Sequence, residues 1–132
     1  MYEYYVHAVN KVVDGDTIDV TIDLGFDIHY SARVRLAGID TPESRTRDLE
    51  EKKLGLEAKD YLKSRLKQAS RVVIRTEKPD STGKYGRILG WIFLDDEPNS
   101  VNNQMIKDGY AWEYDGGTKE KDLDELLAKR KD

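Results

Sequence analysis

From Tyr2 to Leu36 apolar and polar residues alternate with period two, and Val, Ile, Tyr and Thr dominate the run. Alternation of this kind puts successive side chains on opposite faces, which a strand satisfies and a helix does not. Two turn-forming stretches, "DGD" at 14–16 and "LGFD" at 24–27, divide it. The pattern predicts three consecutive antiparallel strands, at Tyr4–Val13, Asp16–Asp23 and Ile28–Ala37. In the second, Ile18, Val20 and Ile22 share one face, and Thr17, Asp19, Thr21 and Asp23 share the other. Asp16 falls in register with the apolar row, at the strand end where the inward face opens. An ordinary turn carboxylate would not need that register.

The rest of the chain is built differently. Residues 44–54, "SRTRDLEEKKL", read as a charged connection without periodicity. Ala58, Leu62, Leu66 and Ala69 then recur at helical spacing, flanked by Leu56 and Tyr61, which predicts an amphipathic helix. "RVVIRTEK" and "RILGWIFL" read as two further strands joined by the turn-rich "PDSTGKYG", with Trp91 and Phe93 in core or barrel-wall positions. A second helix fits Val101–Asp108 with Gly109 as a left-handed cap, and a third fits Thr118–Arg130 with Leu123, Leu126 and Leu127 buried. Three strands, a helix, two strands and two helices is the element order of an OB-fold barrel. The fold class is therefore α+β, a five-stranded barrel with three helices, in one domain spanning residues 1–132.

Composition narrows the chemistry. The 132 residues carry a net charge of -4, so affinity does not rest on neutralising many phosphates with a basic surface. There is no cysteine, which excludes disulfides and thiolate metal sites. No stretch reaches transmembrane length, and the opening "MYEYYVHAVNK" lacks a basic, then apolar, leader. His7 and His29 have no partner spacing and read as strand residues.

"VVDGDTIDV", "VRLAGIDTPESR" and "GKYGRILGWIF", in that order with a helix between the last two, resemble the staphylococcal nuclease (thermonuclease) family. The resemblance runs from about Val9 to about Ala111. It implies calcium-dependent, sugar-nonspecific hydrolysis of DNA and RNA that leaves 3′-phosphate ends. It implies Asp16 and Asp40 as calcium carboxylates with the Thr41 backbone carbonyl as a further ligand. It further implies Glu43 as general base or water positioner, Arg35 and Arg87 on the phosphate, and Lys84 and Tyr85 in the nucleotide pocket.

The residue types suit those roles. Calcium takes six to eight oxygen ligands, and Asp16, Asp40, the Thr41 carbonyl and water offer them without nitrogen or sulfur. Pro42 restrains Thr41 to extended geometry. Arginine presents a planar, permanently charged fork to a phosphate that gains charge. A water held by Glu43 and the metal could attack phosphorus in line. Each motif alone has a plainer reading. Asp14-Gly15-Asp16 is also a hairpin turn, Arg35 could pair with Asp19 across strands, and Glu43 could be one acidic loop residue beside Arg45 and Arg47. Three motifs in order argue against the plainer set.

"GYAWEYDGG" places Tyr110, Trp112 and Tyr114 on alternate positions; we expect Trp112 in the core and take Tyr114 as a base-stacking candidate. The 44–54 connection departs from the family's usual basic, proline-containing loop, which bears on substrate preference. With the acidity and the missing leader, this leads us to expect an intracellular or phage-encoded monomer acting on nucleic acid, with no membrane association. Two other functions compete: a non-catalytic OB module that binds nucleic acid or protein, and a phosphodiesterase restricted to small nucleotides. The intact set Asp16, Arg35, Asp40, Glu43 and Arg87 argues against the first.

Overall fold

The computed structural model describes residues 2–77, 87–117 and 121–131. The run of alternation becomes β1 (Tyr2–Asp14), β2 (Thr17–Asp23) and β3 (His29–Leu36), close to the expected bounds. The "LGFD" break is a tight turn in which Phe26 and Asp27 take positive φ values of 56° and 61°. β4 (Ile39–Asp40) follows, then α1 (Leu49–Gln68), β5 (Val72–Thr76), β6 (Ile88–Leu94), α2 (Val101–Lys107), β7 (Trp112–Glu113) and α3 (Leu123–Arg130). Strands close in the order β1-β2-β3-β6-β5, with β3 and β6 parallel at the seam. This is the expected five-stranded OB-type barrel with three helices.

The inward rows of β2 (Ile18, Val20, Ile22), β3 (Val34, Leu36), β5 (Ile74) and β6 (Ile92, Leu94) fill the barrel. α1 closes it with Ala58, Leu62 and Leu66 of the expected stripe. Trp91 and Phe93 lie on the outer wall of β6, half-buried, with the Arg75 guanidinium 4.3 Å above the Phe93 ring. His7 and His29, unlinked in sequence, are stacked with ring centroids 4.3 Å apart.

Three expectations need correction. The 44–54 segment is not all connection, because α1 starts at Leu49. Asp48 caps it, its Oδ1 accepting from the amides of Glu50 and Glu51 at 3.1 and 3.2 Å. Leu49 to Lys53 face largely outward, so no apolar period marks this turn and a half. The third helix begins at Leu123 behind an Asp122 cap, later than Thr118. Finally, β4 and β7 form a two-residue antiparallel ladder that alternation over so short a span cannot reveal. The "PDSTGKYG" turn, with Lys84 and Tyr85, and the 118–120 stretch lie outside the described residues.

A single buried amide ties α2 to the barrel seam. The Asn102 side chain accepts from the Ile92 amide at 3.0 Å and donates to the carbonyls of Ala37 at 2.8 Å and Gly90 at 3.1 Å. Buried backbone groups left unpaired are costly. Asn102→Ala is expected to destabilise the fold by about 3 kcal/mol, read from urea denaturation midpoints. A loss under about 0.5 kcal/mol would mean water replaces the amide fully.

Candidate active site

The site forms where β2 begins and β3 ends. Register pairs Asp19 with Arg33 and Thr17 with Arg35. Arg33 therefore takes the cross-strand partner that the plainer reading gave to Arg35, binding Asp19 at 2.8 and 3.1 Å. That ion pair lowers the Asp19 carboxyl, chiefly through the hydrogen bonds from Arg33. Arg35 turns the other way. Its Nη2 lies 3.4 Å from Asp16 Oδ2 and 3.6 Å from Asp40 Oδ1, and its Nη1 donates to the Leu36 carbonyl at 3.0 Å. All three side chains are largely buried, at 14%, 13% and 19% exposure.

Asp16 is held from two further sides. Thr17 Oγ1 donates to its Oδ1 at 2.9 Å, and Thr41 donates to its Oδ2 from the hydroxyl at 3.0 Å and the amide at 3.3 Å. The buried Thr41 thus reaches Asp16 through its side chain and amide. Asp14 fixes the following loop, accepting from the Ser44 hydroxyl at 2.5 Å.

The Glu43 loop rests on α1 at contact distance. A Cβ on Gly55 would come within 2.6 Å of the Glu43 backbone and 2.7 Å of the Pro42 carbonyl oxygen. One on Gly15 would come within 2.8 Å of Ala58 Cβ and 3.1 Å of Thr41 Cγ2. Glu51 of α1 accepts from the Glu43 amide at 2.9 Å, so the loop is pinned by its backbone. The Glu43 side chain stays 61% exposed and meets Lys121 Nζ at 3.4 Å. Burial holds the Asp40 carboxyl above the usual carboxylate range; the charges of Asp16 and Glu43 add to this, against Lys121 and Arg35.

The other expected residues are placed unevenly. Arg87 is half-buried immediately before β6, two positions before Leu89, the register partner of Arg35. Tyr114 is half-buried and donates its amide to the Gly38 carbonyl at 2.8 Å, one step past the β4–β7 ladder that carries Asp40. Trp112 is fully buried, as expected, and its indole N–H donates to the Asp122 carbonyl at 3.0 Å. Tyr110 is committed to packing: it stacks on Tyr61 at 4.3 Å with the Arg130 guanidinium over its ring.

Asp16 and Asp40 could hold a divalent cation. Both are oxygen donors, largely buried and aimed at one guanidinium nitrogen, and Glu43 is near enough to act on Asp40. No cluster of three His, Cys, Asp or Glu groups with metal-holding geometry occurs among the described residues. A calcium ion bound by the two aspartates would therefore draw most of its oxygens from backbone carbonyls and water, which that ion accepts readily. On those terms the donor set fits.

Sequence reasoning missed Gly55, Glu51, Ser44 and Lys121. Glu51 lies in the acidic stretch read as connection, and the others act across long separations that leave no local period.

Residues 33–132 match the family described as "Staphylococcal nuclease homologue". The chain belongs to the staphylococcal nuclease family. It is 30% identical over 131 residues to an uncharacterised protein, MJ1439, of Methanocaldococcus jannaschii, covering 86% of this chain and 61% of that one. It is 37% identical over 106 residues to a thermonuclease of Staphylococcus intermedius, covering 80% of this chain and 57% of the relative. With the SPbeta prophage-derived endonuclease YokF of Bacillus subtilis identity is 32% over 115 residues, covering 85% and 36%. The chain thus spans only about a third to three-fifths of these relatives. The family match includes Arg35, Asp40, Thr41, Glu43, Arg87 and Tyr114 but begins after Asp16, which meets Arg35 and Thr41 in space. Among the described residues no helix is long and apolar enough to cross a membrane.

Gly55→Ala tests the contact that supports Glu43. Alanine gains about 1 kcal/mol of helix propensity, but displacing the Pro42–Glu43 backbone costs more. A net loss of about 2 kcal/mol is expected in urea denaturation. Unchanged or raised stability would show that α1 does not bear on the loop.

Proposed function

We propose that this chain, as one domain and as a monomer, is a calcium-dependent endonuclease that hydrolyses DNA and RNA and leaves 3′-phosphate ends. One observation supports this above the others: Asp16 and Asp40, from different elements, converge on Arg35 while Arg33 absorbs the surface partner Asp19. A structural ion pair would need one carboxylate; two on one guanidinium leave excess negative charge that suits a cation. The family relationship supports the same reading, since two relatives are a thermonuclease and an endonuclease.

In this reading Asp16, Asp40 and the Thr41 carbonyl hold calcium. Thr17 and Thr41 keep Asp16 aimed by hydrogen bonds to both its oxygens. When bound, the ion supplies positive charge next to the scissile phosphate and orients it. Glu43, exposed at the mouth, takes a proton from the attacking water. Arg35, on β3, and Arg87, just before β6, bind phosphoryl oxygens as their charge grows. The water oxygen bonds to phosphorus as the bond from phosphorus to the 5′ oxygen breaks; the 5′ oxygen leaves as a hydroxyl with a proton from solvent, and the phosphate stays on the 3′ side. Lys84 and Tyr85, outside the described residues, are assigned to nucleotide binding by the resemblance alone, and Tyr114 stacks on a base.

The test is cleavage of single-stranded DNA and RNA with calcium, with EDTA, and with calcium plus Glu43→Gln. Calcium-dependent cleavage is expected, lowered by about a hundredfold or more in Glu43→Gln. Absence of cleavage by the folded protein, with binding retained, would turn the assignment to a non-catalytic OB module. Cleavage confined to dinucleotides would assign a small-nucleotide phosphodiesterase instead.

A further inference from the structure

The C-terminal segment delivers a cation to the carboxylate cluster. Lys121 Nζ lies 3.4 Å from Glu43 Oε1 and 3.8 Å from Glu51 Oε2, although Glu43 is 78 residues away in sequence. The Lys121 side chain is about a third exposed. The next residue, Asp122, caps α3 with its side chain and accepts the Trp112 indole N–H through its carbonyl. Trp112 in turn is the register partner of Asp40. Chain geometry therefore ties Lys121 to the strand that carries Asp40. The far end of α3 is anchored as well: Arg130 donates to the Gly109 carbonyl at 2.8 Å and pairs with Glu57 of α1 at 2.8 Å.

We infer that Lys121 is a built-in counter-ion of the site, which sets how tightly Asp16 and Asp40, with Glu43 beside them, bind a divalent cation. An ammonium beside Glu43 offsets the like-charge repulsion among the carboxylates while no metal is bound. It also repels an arriving dication, so the metal binds more weakly than the bare cluster would allow. A solvated pair of this kind is worth little by itself, and its effect on a doubly charged ion is correspondingly moderate. Lys121 acts through the two carboxylates it meets, those of Glu43 and Glu51.

The inference rests on the calcium reading above, and its test separates the two. Calcium titration calorimetry without substrate compares the wild-type chain with Lys121→Met and Lys121→Arg. Lys121→Met is expected to bind calcium about fivefold more tightly, and Lys121→Arg, which keeps the charge, to bind like wild type. Wild-type affinity in Lys121→Met would overturn the inference, as would tightening in Lys121→Arg equal to that in Lys121→Met. No calcium binding by any of the three would overturn the calcium reading itself. Lys121→Gln repeats the comparison if the methionine variant fails to fold.

Discussion

The Arg35 guanidinium is what lets two largely buried carboxylates share one end of the barrel. Asp16 arrives from the β1–β2 turn and Asp40 from the short strand after β3; without a cation between them, their charges would repel in a setting that water screens poorly. Arg35 stands at the end of β3, level with Thr17, because register gives its neighbour Arg33 to Asp19. A slip of two residues would give Arg35 to Asp19, and a slip of one would turn the apolar row of β3 outward. The register that builds the core therefore also aims the site.

Around that arginine the chain trades side-chain volume for proximity. Gly15 and Gly55 have no room for a methyl group, since Ala58, Thr41 and the Glu43 backbone already occupy it. The turn bearing Asp16 and the loop bearing Glu43 are thereby pressed on successive turns of one helix. A rigid element thus positions residues that sit on irregular chain, which is how a loop keeps geometry precise enough for chemistry. Glu51 adds a hydrogen bond to the Glu43 amide, so the loop backbone is fixed while the Glu43 carboxylate remains open to solvent.

Much of this was legible before any coordinates. The barrel strands read directly from alternation, because one face is buried and the other wet. The α1 stripe read from Ala58 to Leu66 for the same reason. Asp16 stood out because its register matched Ile18 and Ile22. What stayed hidden depends on contacts without local period: the Asn102 amide at the seam, the Gly55 approach, and the β4–β7 ladder of two residues. The start of α1 was missed because its first turns face solvent and only Asp48 marks them. Choosing between Arg33 and Arg35 needed the strand register itself, since the two alternate in sequence with equal claim on Asp19.

The central claim is that Asp16 and Asp40 are gathered to hold a hard cation. The melting temperature of the wild-type chain and of Asp40→Asn, each followed across a calcium titration, tests it most directly. A ligand that binds only the folded state raises stability by RT ln(1 + [L]/Kd), so the wild-type temperature should climb steadily with the logarithm of calcium beyond saturation. Asp40→Asn should stay level over the same range. A flat wild-type curve, or an equal climb in both proteins, would contradict the account.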